Sequence, residues 1–291
     1  MNIVHRGLAW LLVLLLAGTA SAQTDEARRK AWADARAAAQ SGPRDIPLLD
    51  QAVLKLPAAH VYIPQPQATA LLNAMGNPGK DERLLGLLFP EGGGEWFATL
   101  RYEKSGYIKD DDARDWNTDD LLKSYREGTE AANAERQKMG APALEIVGWA
   151  EKPAYDGRTH RLVWAMSSKH KGAAADEPQG VNYNTYALGR DGYFSLNLVT
   201  GLNELNANRG HAQTLLAALD YQPGKRYEEF DASTDTVAEY GLAALVLGVG
   251  AKKLGLFAVA AALFAKFAKV IILALAGLGA LAVKVFKRRS A

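Results

Sequence analysis

Residues 181–199, VNYNTYALGRDGYFSLNLV, leave the backbone less choice than any other stretch of this chain. Two runs rich in Tyr, Val, Leu and Phe flank Arg190-Asp191-Gly192. Aromatic and β-branched residues suit a pleated surface, and an Asp-Gly pair supplies the backbone freedom a tight reversal needs. The segment therefore predicts a β-hairpin. A second one follows from LEIVGWAEKPAYD and HRLVWAMSS, joined across the turn signal DGRT. Upstream, HVYIP reads as a short strand closed by Pro64 and Pro66, while LLGLLFP and EWFATLRYEKSGYI read as strands separated by the flexible EGGG.

Helices are predicted between these strands. PQATALLNAMG ends with Gly76 just past its last turn. NTDDLLKSYREGTEAANAERQKMGAP carries a capping Asn117 or Thr118, acids in its first turn, and a stop at Gly140 and Pro142. NELNANRGHAQTLLAAL supplies a third. Hairpins with interspersed helices give an α+β domain: a mostly antiparallel sheet with packed helices, plus a C-terminal transmembrane helix. Strand–helix alternation is too irregular for a doubly wound parallel sheet.

The two ends obey a different logic. At the N-terminus Arg6 precedes the short apolar run Leu8 to Ala17, and Ala20-Ser21-Ala22 offers the small residues a signal peptidase recognises. That run is too short for a comfortable span of about 20 residues. Residues 1–22 are expected to be a signal peptide, and 23–42 a charged, Ala-rich exposed lead-in helix and linker ended by SGPRDIP. The body, 43–236, is expected to be a periplasmic α+β domain. Residues 237–265 are read as an apolar Gly/Ala-rich juxtamembrane helix, 266–286 as a transmembrane anchor and 287–291 as a basic cytoplasmic tail. Phe267, Ile271, Leu275, Leu278, Leu281 and Val285 would carry the anchor. Lys266 and Lys269 snorkel at one end, while Lys284, Lys287, Arg288 and Arg289 set the topology at the other. A two-span hairpin is the alternative, and it would place Lys252 and Lys253 near mid-bilayer.

Charge supports this division. Of 34 Lys and Arg, eight lie in 241–291 and one, Arg6, in 1–22, so residues 23–240 hold 25 against all 32 acids. An acidic body argues against nucleic-acid binding. With no cysteine in the chain, disulfides, thiol catalysis and Cys-ligated metals are excluded.

Motifs for chemistry are sparse. The acid run KDDDARDWNTDD fails as a calcium loop: from Asp110 the fifth position is Arg114, and from Asp115 the turn glycine is Asp120 and the closing glutamate Arg126. It reads as a solvated loop leading into the next helix. His60, His160, His170 and His211 show no helical metal spacing, and HExxH, GxSxG, SxxK and a P-loop do not occur. Neither a metal nor a cofactor is expected. Ser195 falls mid-strand, and Trp149, Tyr155, Trp164, Tyr183, Tyr186, Tyr193 and Phe194 read as core and cross-strand aromatics. The candidates left for a ligand or catalytic site are Asp110, Asp111, Asp112, His160, Arg161 and Arg190.

Long stretches resemble a known family: LPAAHVYIP, GYIKDDDARDWNTDDLL, EGTEAANAERQKMG, IVGWAEKPAYD, HRLVWA, VNYNTYALGRDGYFSLNLV and YGLAALVLG. The chain is similar, from about residue 43 to its basic end, to the bacterial membrane-anchored proteins of domain-of-unknown-function family 2167. That resemblance brings no activity and no site residues. It implies an envelope protein with a signal peptide, an outward domain and a C-terminal anchor, and the strand order also resembles PsbP-type modules at the level of fold alone. The expected role is a binding or scaffolding module at the inner membrane, with an envelope protein or lipid as partner and self-association through the small-residue helices. An envelope hydrolase or transferase, or a membrane-organising protein acting through its C-terminal helices, are the alternatives.

Overall fold

The computed structural model describes residues 25–247, apart from 78, 115 and 139. The segments read above as a signal peptide and as a transmembrane anchor, 1–22 and 266–286, lie outside the described residues, as does 248–265 of the segment read as a juxtamembrane helix; its first part, 237–247, is described. Among the described residues, no helix is long and apolar enough to cross a membrane.

The two predicted hairpins form the centre of an antiparallel sheet. Its outer strand β7 (Leu144–Asp156) pairs with β8 (Arg161–His170), β8 with β9 (Gly180–Leu188), and β9 with β10 (Tyr193–Gly201). β10 then pairs with an earlier part of the chain, β6 (Phe97–Glu103), in a ladder running from Tyr193↔Glu103 to Val199↔Phe97. From β6 the sheet continues through β5 (Leu84–Pro90), β4 (His60–Pro64) and the two-residue edge β1 (Gln40–Ser41). β7 forms the other edge, and Pro153, which has no N–H to donate, together with three register shifts in the ladder to β8, suits it to a place with a strand partner on one side alone.

A second sheet has no clear signature in the sequence. β2 (Arg44–Leu48), β3 (Ala52–Leu56) and β11 (Leu219–Tyr221) form three antiparallel strands in the order β11-β3-β2. SGPRDIP reads as a helix stop alone, but Pro47 is tolerated in β2 because that strand lies at the sheet edge. Ile46, Leu48, Leu54 and Leu56 from this sheet pack with Leu205, Ala212, Leu215 and Leu216 of α4 (Leu205–Ala217). Together they cover Leu100, Tyr183, Leu196 and Leu198 on one face of the large sheet. Each fully buried leucine here contributes about 1.5–3 kcal/mol relative to exposure.

The opposite face carries two separate apolar clusters. At one end α1 (Asp25–Ala38) and α2 (Gln67–Ala74) place Ala35, Ala68, Leu71 and Leu72 against Leu84, Leu87, Phe97 and Val199. Thus α1 is not merely an exposed lead-in: Ala35 is buried, and Trp32 meets Phe89 edge-on at 6.0 Å. At the other end Trp164, Met166, Ile146 and Tyr186 receive Leu121 and Tyr125 of α3 (Thr118–Lys138) and Leu242, Leu245 and Val246 of α5 (Leu242–Val246). Asn117 caps α3 as predicted, its side-chain oxygen accepting from the Asp119 N–H at 2.9 Å. Asn133 locks that helix to β7, donating to the Leu144 carbonyl and accepting from the Leu144 N–H.

Between the clusters the face turns polar. Thr99, Asn197, Asn184 and Trp164 are successive register partners and therefore share one side of the sheet. Asn182, Asn184 and Asn197 are all at least nine-tenths buried, and their side-chain carbonyl oxygens have no partner among the described residues. Ser195 lies on the same strand as Asn197 and is buried mid-ladder, as its position predicted.

Candidate functional site

The acid run expected to be a solvated loop, 109–120, is instead anchored, both through the residues just before it and through Asp110 and Asp112. Gly106 has φ +85, and a Cβ there would lie 2.6 Å from the Thr236 carbonyl, so only glycine allows the two backbones to meet. Immediately after it, the Tyr107 N–H donates to Thr236 and the Ala238 N–H donates to Tyr107, each at 2.8 Å. Ile108 is buried, and its carbonyl accepts the Tyr227 hydroxyl at 2.7 Å. The physical reason for the difference is this late-chain segment, 227–243, which supplies the partners and which local sequence cannot reveal.

The three aspartates do three different jobs. Asp112 accepts the backbone N–H groups of Leu242 and Ala243, both at 3.0 Å, and so satisfies orphan donors in the first turn of α5. Asp111 is exposed at the start of a 3₁₀ turn, 111–114. Asp110 faces the β7–β8 turn, where the Tyr155 hydroxyl donates to its Oδ2 at 2.8 Å.

The same Tyr155 oxygen lies 3.0 Å from Nδ1 of His160, and that nitrogen is 3.9 Å from Asp110 Oδ2. The geometry fixes the protons. Tyr155 has one hydroxyl proton, and it points to the carboxylate, so His160 must donate its Nδ1–H to the phenol oxygen. In the neutral ring Nε2 is then left with a lone pair. Burial, and after it the Asp110 carboxylate, raises the Tyr155 pKa and keeps it a phenol. Beneath the imidazole, Tyr227 stacks at 4.0 Å and 26°, while Tyr107 stacks on Phe230 at 3.9 Å. Burial raises the pKa of Tyr227 as well.

His160 is held by more than its ring. Its φ of 52° is left-handed, a conformation uncommon for a residue with a side chain. The turn before it is closed by Asp156, whose carboxylate accepts from the Arg158 N–H and the Thr159 hydroxyl. The His160 carbonyl accepts from Leu188 at 2.9 Å, which ties the turn to β9.

Like Asp111 and Asp112, the two arginine candidates do not join this cluster. Arg190 makes a paired contact with Asp235, Nε to Oδ2 at 2.7 Å and Nη2 to Oδ1 at 2.9 Å, and pins the 224–235 segment to the central hairpin. That guanidinium pulls the Asp235 carboxyl well below its ordinary pKa. Arg161 heads β8 next to His160, but its guanidinium makes no hydrogen bond or ion pair among the described residues. Asp110 and His160 are therefore brought together, with Tyr155, which the sequence presented as a core aromatic, and Tyr227, which the sequence reading did not single out. A signal for Tyr155 did exist, because YDGRTH places Tyr and His on opposite sides of one turn.

The cluster is open to solvent, with His160 and Asp110 side chains 21% and 32% exposed. It presents a carboxylate edge and an imidazole acceptor on a rigid aromatic bed, suited to a ligand that donates hydrogen bonds or carries positive charge. No serine or threonine hydroxyl among the described residues bonds to His160, and no group of three or more His, Asp or Glu there could hold a metal. An open groove of about 380 Å³ between α3 and β7, lined by Arg126, Glu130, Ile146 and Lys169, includes none of the six candidates.

Residues 40–277 match the family described as "Protein of unknown function (DUF2167)", which covers all of these elements from β1 onward. The chain belongs to the DUF2167 family. No curated protein matches this DUF2167 chain. Among solved structures, the solution structure of cyanobacterial PsbP (CyanoP) from Synechocystis sp. PCC 6803 aligns at 9% identity and a TM-score of 0.36, covering 63% of this chain and 91% of that one. At that score it carries neither a fold assignment nor a function across.

Proposed function

We propose that this DUF2167 chain is a binding or scaffolding module of the bacterial envelope. In this reading residues 1–22 direct export, the globular domain faces the periplasm, and 266–286 hold it at the inner membrane in a single pass with 287–291 inside. The observation that supports it best is the division of labour among the candidate residues. Asp112 and Arg190 are committed to closing the domain around the start of the C-terminal segment, which suits a module displayed on an anchor. Asp110, Tyr155 and His160 remain as a preorganised, partly exposed patch, which suits recognition of an envelope protein or lipid headgroup. The fixed imidazole tautomer also supports a second reading, a hydrolase or transferase using Nε2 of His160 as a base.

The cysteine-free sequence makes the topology directly testable. Arg158→Cys, whose native side chain is 93% exposed, should react with a membrane-impermeant maleimide in intact spheroplasts. Ser290→Cys should react only after permeabilisation. Equal labelling of both in intact cells would contradict the single-pass arrangement. For the recognition role, detergent-solubilised full chain should retain a reproducible envelope partner or lipid that His160→Ala loses. Recovery of the same material with both proteins would sink the assignment to this patch.

A further inference from the structure

Outside the Asp110 cluster, the fold joins two histidines that lie far apart in sequence. His60 opens β4 and His211 sits on α4, yet Nε2 of His60 is 3.1 Å from Nδ1 of His211. The other nitrogen of His60, Nδ1, is 2.9 Å from the Ala58 carbonyl. A carbonyl only accepts, so Nδ1 must carry the proton and Nε2 must present its lone pair to His211. The His60 ring is held firmly in this position. Its residue is 5% exposed, Ala59 before it adopts φ 62°, and the Ala59 carbonyl accepts from the Glu91 N–H at 2.9 Å. Trp96 stacks on His211 at 4.9 Å and 27° and leans on His60 at 5.8 Å.

Two chemistries fit a 3.1 Å separation. In one, His211 donates its Nδ1–H to His60. In the other, both nitrogens are donors to one ion. At metal–nitrogen bonds of about 2.0–2.1 Å, two ligands at right-angled to tetrahedral positions stand about 2.9–3.4 Å apart, so the two nitrogens already stand at a chelating separation. The Nδ1–H to carbonyl contact of His60 is the orienting bond that metal-binding imidazoles commonly make.

We propose that His60 Nε2 and His211 Nδ1 form a two-imidazole site for a borderline divalent transition ion, with Cu(II) bound more tightly than Ni(II) or Zn(II). On binding, the proton of His211 moves from Nδ1 to Nε2, so a neutral ring remains neutral. Two protein donors leave coordination positions for water or for a donor from a bound molecule. The ion is accordingly exchangeable, because structural sites take four ligands and catalytic sites three. Helical spacing in the sequence could not indicate this site, since its two ligands meet only when α4 packs across the sheet.

The test is a Cu(II) titration of full-length protein, purified in detergent without a polyhistidine tag and followed by electron paramagnetic resonance. One equivalent should give a spectrum with hyperfine coupling to two imidazole nitrogens. His60→Asn and His211→Asn should each lose that coupling and weaken binding by more than the roughly tenfold that losing an orienting partner costs. His170→Asn should change nothing. His211 is only half-buried on α4, so its variant keeps the test open should the His60 variant fail to fold. An unchanged spectrum and affinity in the His211 variant, or no stoichiometric binding by the unmodified chain, would overturn the proposal.

Discussion

Replacing Asp112 should detach α5 from the domain at a cost that can be estimated from its contacts. The carboxylate accepts two N–H groups at 3.0 Å in the first turn of a helix too short to provide its own stability. Hydrogen bonds to a charged acceptor contribute about 1.5–3 kcal/mol each, and loss of an N-terminal cap alone costs about 0.5–2 kcal/mol. The two contacts share one acceptor group, so Asp112→Ala should cost about 3 kcal/mol. Asp112→Asn, which retains one acceptor oxygen, should cost about half of that. For a domain of this size, about 3 kcal/mol corresponds to a Tm lower by roughly 6–12 °C. Gly241→Ala should act in the same direction, because a Cβ there would lie 2.6 Å from Asp112 Oδ2 and displace the carboxylate. The assay is thermal unfolding of the full chain followed by near-ultraviolet circular dichroism, with exposed Asp111→Ala as the control. If Asp112→Ala melts within the uncertainty of Asp111→Ala, the cap contributes nothing and the reasoning is wrong.

Tyr155→Phe should lower stability by about 1–2 kcal/mol and release the fixed tautomer of His160, seen as averaged imidazole nitrogen shifts by NMR; a retained Nδ1–H signature would refute the relay. Asn182→Val should raise stability by about 1 kcal/mol, because it removes a buried carbonyl oxygen without a partner on a strand that favours β-branched residues. A loss in urea unfolding would show that this amide is satisfied in solution. Burial raises the Asp81 pKa, but hydrogen bonds and charge from Arg83 and Arg101 outweigh it and lower the value overall. Its contribution is then complete above the ordinary carboxylate range near ~4 and disappears as pH falls through the depressed folded value. The Tm difference between the unmodified chain and Asp81→Asn should be flat from about pH 8 to about 5 and shrink below that, because the substitution lowers Tm at neutral pH by breaking a largely buried pair and makes the acid limb shallower. An acid limb of unchanged steepness would count against this account.

The large sheet was legible wherever local chemistry determined it. RDG and DGRT each specified a reversal, and both hairpins formed. The three-stranded sheet was hidden because RDIPL and AVLKL are short and interrupted by Pro and Lys, and their strand character comes from pairing with each other and with Leu219–Tyr221. The candidate site shows the same limit. Asp110 and His160 could be nominated by residue type, yet Asp112's target is a helix that begins at residue 242, and Tyr227 reaches Ile108 only through the tertiary fold. Arg190 was nominated for its charge, and it serves Asp235.

The ladder between β6 and β10 joins the two halves of the chain along one line, with Glu103 beside Tyr193 and Phe97 beside Val199. Everything between those strands forms a loop that must close before the pairing yields any energy. Jacobson–Stockmayer scaling makes the thermodynamic cost of such a long closure modest, but the search delays it. The β7–β10 meander, built from near neighbours in sequence, can collapse first and present β10 as an open edge to β6. Folding should then have two kinetic stages, a fast local one and a slow docking step, and substitutions at Leu100 or Leu196 should retard the second while leaving the first intact.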